Sequence, residues 1–119
     1  MRGEVAAELS VARREEAAVV TVVGSLDADN VAELERALAH AFAPPGPSRT
    51  VLDLSALDFA DSSVLHVLLE SQRQHRSTGR RLVVCGPYRP VVHRLFDVTG
   101  TAEFFELTED LATALAPVR

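Results

Sequence analysis

The chain has 119 residues, 47% of them hydrophobic and 24% charged, with a formal net charge of −5. That size and balance predict one soluble, cytoplasmic globular domain covering residues 1–119, with a single core. Its apolar runs are too short to span a bilayer, its start lacks the apolar stretch of a secretory leader, and its acidity argues against direct nucleic-acid binding.

All 12 Lys+Arg positions are arginine. A chain without lysine offers no Schiff-base nucleophile and no phosphate-loop lysine. Cys85 is the single cysteine, which excludes an intrachain disulfide and a thiolate metal cluster.

From Val5 to Ala12, apolar and other residues alternate loosely, as in a half-buried strand. Arg13 to Glu16 reads as a polar turn. Ala18 to Val23 is a β-branched run that predicts a more buried strand, paired with the first as a hairpin. Gly24-Ser25-Leu26-Asp27 is expected to break that strand. Asn30-Val31-Ala32-Glu33 has the spacing of a capping box. The helix after it should bury Val31, Leu34, Leu38, Ala41 and Phe42, a stripe at helical spacing. Pro44-Pro45-Gly46-Pro47 stops it.

Thr50 to Leu54 predicts a short central strand, and Ser55 to Phe59 a connection. Ala60-Asp61-Ser62-Ser63 supplies helix-capping side chains before Val64, Leu65, Leu68 and Leu69. That helix should run to about Ser77 or Thr78, with Gly79 closing it. Leu82 to Cys85 predicts another strand, and Gly86-Pro87 a turn. Pro90 suits the first turn of a third helix burying Val91 or Val92, Leu95 and Phe96, closed by Gly100. Phe104 to Leu107 reads as an edge strand. Thr108 is expected to open a last helix, with Leu111, Ala114 and Leu115 on one face. The order is β-β-α-β-α-β-α-β-α. Strands alternating with helices imply an α/β fold with a largely parallel sheet, made mixed by the opening hairpin.

An enzyme needs a nucleophile, a base and an orienting group. Ser62 lacks the Gly-x-Ser-x-Gly elbow. His40, His66, His75 and His93 show no metal-ligand spacing, and His75 and His93 fall on polar helix faces. Cys85 at a strand end reads as a small core residue. Asp53 reads as a turn carboxylate anchoring a strand end. No glycine-rich phosphate loop is present. The expectation is a binding protein, not an enzyme, with no cofactor and no metal.

The segment Asp53-Leu54-Ser55-Ala56-Leu57-Asp58-Phe59-Ala60-Asp61-Ser62-Ser63 resembles the signature of the STAS domain, the fold of anti-sigma-factor antagonists. Three further stretches match in order. Gly24-Ser25-Leu26-Asp27 is similar to the family's turn before its first helix. Leu82-Val83-Val84-Cys85 is similar to its fourth strand, and Val91 to Gly100 to its third helix and Thr-Gly end. The resemblance implies the STAS fold, a mixed β-sheet with four helices. It also implies a partner switch. The serine after the aspartate, Ser62 here, would be phosphorylated by an anti-sigma factor that is also a serine kinase of the GHKL type. The unphosphorylated protein would capture that anti-sigma factor and free the sigma factor. A PP2C-type phosphatase would reverse the modification.

On this resemblance the phosphoacceptor is Ser62, and the partner-binding residues are Asp27, Asp61, Ser62, Ser63, Val64 and His66. Serine is also a routine N-cap, and the two roles of Ser62 are compatible. Ser63 would be a second cap or a support for the loop. The family usually has glycine where Val64 and His66 stand, so both are expected to add bulk at the docking face. The rival reading is a STAS scaffold, a subunit of a sensor or lipid-transport complex, using the same face without a phosphate cycle. The expected state is a monomer or weak dimer, without membrane contact.

Overall fold

The computed structural model describes residues 7–14, 16–43 and 46–117. Among these residues five strands form one sheet in the order β1-β2-β3-β4-β5. They are β1 (Glu8–Arg14), β2 (Ala17–Leu26), β3 (Arg49–Ala60), β4 (Arg81–Cys85) and β5 (Glu106–Thr108). The helices are α1 (Val31–Phe42), α2 (Ser62–Ser77), α3 (Pro90–Thr99) and α4 (Leu111–Leu115), with one 3-10 turn at Ala102–Phe104. β1 and β2 are antiparallel, from Glu8↔Val23 to Arg14↔Ala17. The remaining pairs are parallel. The predicted order and the mixed sheet are therefore observed.

The strand order explains the layering. β2 to β5 lie side by side in sequence order, so crossovers of one hand place their helices on one face. Accordingly α1, α2 and α3 share one core. Leu34 and Leu38 of α1, Val64 and Leu68 of α2, and Val92 and Phe96 of α3 pack with Val20, Val22, Leu52, Leu54, Leu82 and Val84 of the sheet. α4 is not a crossover helix. It covers the other face, where Ala114 meets Ala17, Val19, Val51, Val83 and Cys85. The lower half of β2 is thus covered on both sides, which is why Ala17 to Val20 reads as a continuous apolar run. Truncating a side chain such as Leu52, fully buried here, would cost about 2–5 kcal/mol.

Several boundaries differ from the sequence expectation. β1 starts later, at Glu8, and runs through Arg13 and Arg14, because both pair with β2. Val5 lies outside the described residues. β2 does not break at Gly24 but continues to Leu26. Gly24 has φ 110°, and the pairing with β3 shifts register between Gly24 and Ser25. A residue without Cβ absorbs that irregularity. β3 continues through Ser55 and Asp58 to Ala60, because the prolonged β2 supplies its pairing partner.

The capping box at Asn30 does not form. The Asn30 amide turns back, accepting from Asp27 N–H at 2.9 Å and donating to the Ser25 carbonyl at 3.0 Å. Val31 and Phe42, expected to be buried, are only partly so. In α3 it is Val92 that is buried and Val91 that is exposed. Phe104 belongs to the 3-10 turn and is exposed, whereas Phe105 enters the core. Thr108 ends β5, and α4 begins after Asp110, whose carboxylate caps Thr113 N–H at 2.8 Å.

His75 overturns the expectation of a polar helix face. It is fully buried. Its Nδ1 lies 2.8 Å from the Ser71 carbonyl and its Nε2 2.8 Å from Thr50 Oγ1. A carbonyl only accepts, so Nδ1 carries the proton, and the Thr50 hydroxyl donates to Nε2 of the neutral ring. The edge of the ring meets Phe42, with centroids 4.7 Å apart.

Candidate functional site

The site begins with two adjacent strand ends. Leu26 of β2 pairs with Ala60 of β3, so Asp27 and Asp61 leave the sheet side by side. Both lie at the carboxyl end of the parallel strands, the usual place for ligand-binding groups in α/β sheets.

Asp61 is the N-cap of α2, with φ −108° and ψ −175°. Its Oδ1 accepts the Ser63 N–H at 2.9 Å and also the Ser63 hydroxyl. Its Oδ2 accepts the Ala28 N–H at 3.2 Å, which ties the loop after β2 to the helix. Asp27 organises that loop. Its Oδ1 accepts Asp29 N–H at 2.9 Å, and its carbonyl accepts Val31 N–H at 2.9 Å. Both carboxylates are half-buried. Asp27 is held by an N–H of its own loop, and Asp61 by one N–H of α2 and one of the loop after β2.

Ser62 is the first residue of α2 and is exposed. Its hydroxyl has no hydrogen-bond partner among the described residues. The capping expected of it is done by Asp61, with Ser63 in support. Two chemically equivalent hydroxyls are thus separated, one bonded to a carboxylate and one facing water.

Val64 requires a correction. It is 1% exposed and packs in the core, so its side chain cannot add bulk to the expected docking face. The first turn of α2 seats the helix by burying both Val64 and Leu65. His66 is exposed, one turn beyond Ser62 on the outer side of α2. Asp53 also differs from expectation. It lies within β3, where its Oδ1 accepts Ser55 N–H at 2.9 Å, and pairs in register with Thr21 and Cys85.

Two neighbouring features escaped the sequence reading. Asp58, next to the site on β3, forms an exposed ion pair with Arg89 at 3.4 Å. Beside Ala60, the residues Pro90, Val91, Arg94, Leu95 and Val98 line an open groove of about 470 Å³. The signal for that groove was Val91 and Val98, two turns apart on the side of α3 away from Val92 and Phe96.

The remaining reactive groups lie elsewhere. Cys85 is fully buried. Burial pushes its thiol up to about 12, and the carboxylates of Asp53 and Asp110 add to the shift. Thiolate, the nucleophilic form, is therefore suppressed. Among the described residues no group of three His, Cys, Asp or Glu side chains is placed to hold a metal ion, and no helix is long and apolar enough to cross a membrane.

Comparison with known proteins gives the same outline. Residues 9–111 match the family model described as "Mlab, STAS domain". BtrV of Bordetella bronchiseptica, named as a candidate anti-sigma factor antagonist, is 32% identical over 98 residues, 82% of this chain and 83% of that protein. The crystal structure of an anti-sigma factor antagonist from Mycobacterium paratuberculosis superposes with a TM-score of 0.83 at 27% identity, covering 92% of each chain. The Bacillus cell fate determinant SpoIIAA, in its phosphorylated form, shares the fold with a TM-score of 0.65 at 18% identity, over 85% of this chain and 91% of that one. This chain belongs to the STAS-domain family and falls with its anti-sigma-factor antagonists.

Proposed function

We propose that this protein is a cytoplasmic anti-sigma-factor antagonist that works by binding, not by catalysis. Its partner is an anti-sigma factor with serine-kinase activity of the GHKL type, and capture of that partner frees a sigma factor. The docking face is built from Asp27, Asp61, Ser62, Ser63 and His66. Phosphorylation of Ser62 breaks the capture, and a PP2C-type phosphatase restores it.

One observation carries this reading: the Ser62 hydroxyl is exposed and unbonded, while Asp61 and Ser63 do the capping. Modifying Ser62 therefore removes no bond from the fold. A phosphate there adds about −1.5 to −2 charges beside Asp61 and Asp27. The positive end of α2 tolerates it. A partner docking on that face meets new repulsion and a new desolvation cost. The switch acts through surface charge and leaves the helix in place. The relatives of the same family named as anti-sigma factor antagonists support this assignment.

The test is affinity capture from native lysate with wild type and Ser62→Glu, read by mass spectrometry. A GHKL kinase held by wild type and lost by Ser62→Glu supports the switch. Incubating that kinase with ATP should then label wild type and leave Ser62→Ala unlabelled. Asp27→Ala should weaken capture without unfolding the protein. Equal capture of the same partners by wild type and Ser62→Glu would leave the scaffold reading instead.

A further inference from the structure

Ser62, His66, Glu70 and Arg73 follow one another along the outer face of α2, and all four are exposed. Glu70 is already engaged, its carboxylate 2.7 Å from the Arg73 guanidinium. At the other end Ser63 is bonded to Asp61. Between these pairs stand the Ser62 hydroxyl and the His66 ring, neither with a partner among the described residues. Helical residues four apart have Cβ atoms about 5–6 Å from each other. Side chains on a helix lean toward its N-terminus, so the spacing puts Ser62 within reach of the His66 side chain.

We infer that His66 is the counter-ion of phosphorylated Ser62, which makes the charge of the switched-off state depend on pH. The inference rests on the phosphoswitch proposed above. An imidazolium one turn from a phosphomonoester can donate an N–H to a phosphate oxygen and cancel part of the added charge. The other charges around the ring are already in place. Glu70 and Asp61 stand on and before α2, Asp27 and Asp29 in the adjoining loop, and Glu35 of α1 in the groove it shares with Glu70. On the α3 side, Arg89 is paired with Asp58, and Arg94 lines the groove beside Ala60. These groups are common to both states, so phosphorylation alone changes the field at His66. The repulsion that expels the partner is then reduced whenever His66 carries its proton, in addition to any protonation of the phosphate itself. Arg94, in the groove beside Ala60, is a rival cation for the phosphate.

The experiment uses the full chain with phosphoserine installed at position 62 by genetic encoding, so that it does not depend on a cellular kinase. The histidine ring resonances are followed by NMR against pH in the phosphorylated and unmodified proteins. The His66 titration midpoint should move upward by about half a unit to one unit on phosphorylation. His93, beside Asp97 on α3, should not move. The 31P midpoint of the phosphate should rise in His66→Gln and stay in Arg94→Gln. An unchanged His66 midpoint, or a 31P midpoint that responds to Arg94→Gln instead, overturns the pairing. Failure of the lysate capture would overturn the switch while leaving this result standing.

Discussion

The Asp61 carboxylate accepts the backbone N–H of Ala28 at 3.2 Å, although the two residues lie 33 positions apart. One side chain therefore caps α2 and fixes the loop that carries Asp27. The two acidic residues of the site are set by the same bond network. Removing the Asp61 carboxylate should loosen both.

Asp61→Ala should lower stability by about 1–2 kcal/mol, the cost of a lost N-cap, seen as a lower urea midpoint with unchanged slope. Amide exchange should also quicken at Ala28 and at Ser63. Faster exchange at Ser63 alone would mean that the bond to Ala28 contributes nothing.

The two serines should respond differently to truncation. Ser62→Ala removes an exposed, unbonded hydroxyl and should leave stability within about 0.5 kcal/mol of wild type. Ser63→Ala removes the hydroxyl bonded to Asp61 and should cost about 0.5–1.5 kcal/mol. Thermal melts of the two variants, side by side, decide it. A destabilised Ser62→Ala would assign Ser62 a structural task.

His75 should make stability depend on pH. Burial holds its pKa below the ordinary histidine value, the bond to the Ser71 carbonyl opposes that shift, and the Arg80 charge adds to it. The unfolded chain takes up the proton near pH 6.5, where the native ring does not. The contribution is therefore fully present above about pH 6.5. It is lost as pH falls, with a slope of at most about 1.4 kcal/mol per pH unit, until the native ring also protonates. Urea midpoints between pH 7.5 and 5 should show this slope for wild type and a shallower one for His75→Gln. Thr50→Val should cost about 1–3 kcal/mol, because it leaves Nε2 buried without its donor.

Arg80 clamps the end of α1. Its Nη1 donates to the Phe42 carbonyl at 2.7 Å, its Nε to the Pro47 carbonyl at 2.9 Å, and its guanidinium lies 3.9 Å from the Phe42 ring centre. A lysine has one donor head and cannot serve both carbonyls and the ring at once. Arg80→Lys should therefore be destabilised nearly as much as Arg80→Ala, by about 1–3 kcal/mol in denaturant titrations. Full rescue by lysine would reduce the role of Arg80 to its charge.

The sequence by itself determined the element order and the mixed sheet, and its family resemblance pointed to the segment of the candidate site. The element order rests on signals that act within a few residues: alternation, helical spacing, and proline and glycine stops; the candidate site rests on the resemblance of the Asp53 to Ser63 segment. Only the tertiary structure decided where β2 and β3 end, because each is prolonged by pairing with the other. It also separated Ser62 from Ser63, since Asp61 has to be placed by the end of β3 before it can choose which neighbour to hold. It sent Val64 and His75 inward, against the reading of a docking residue and a polar face. Local pattern sets the conformation of a segment. Burial is set by what distant segments bring alongside it, and for α2 these are Thr50 of β3 and Phe42 of α1.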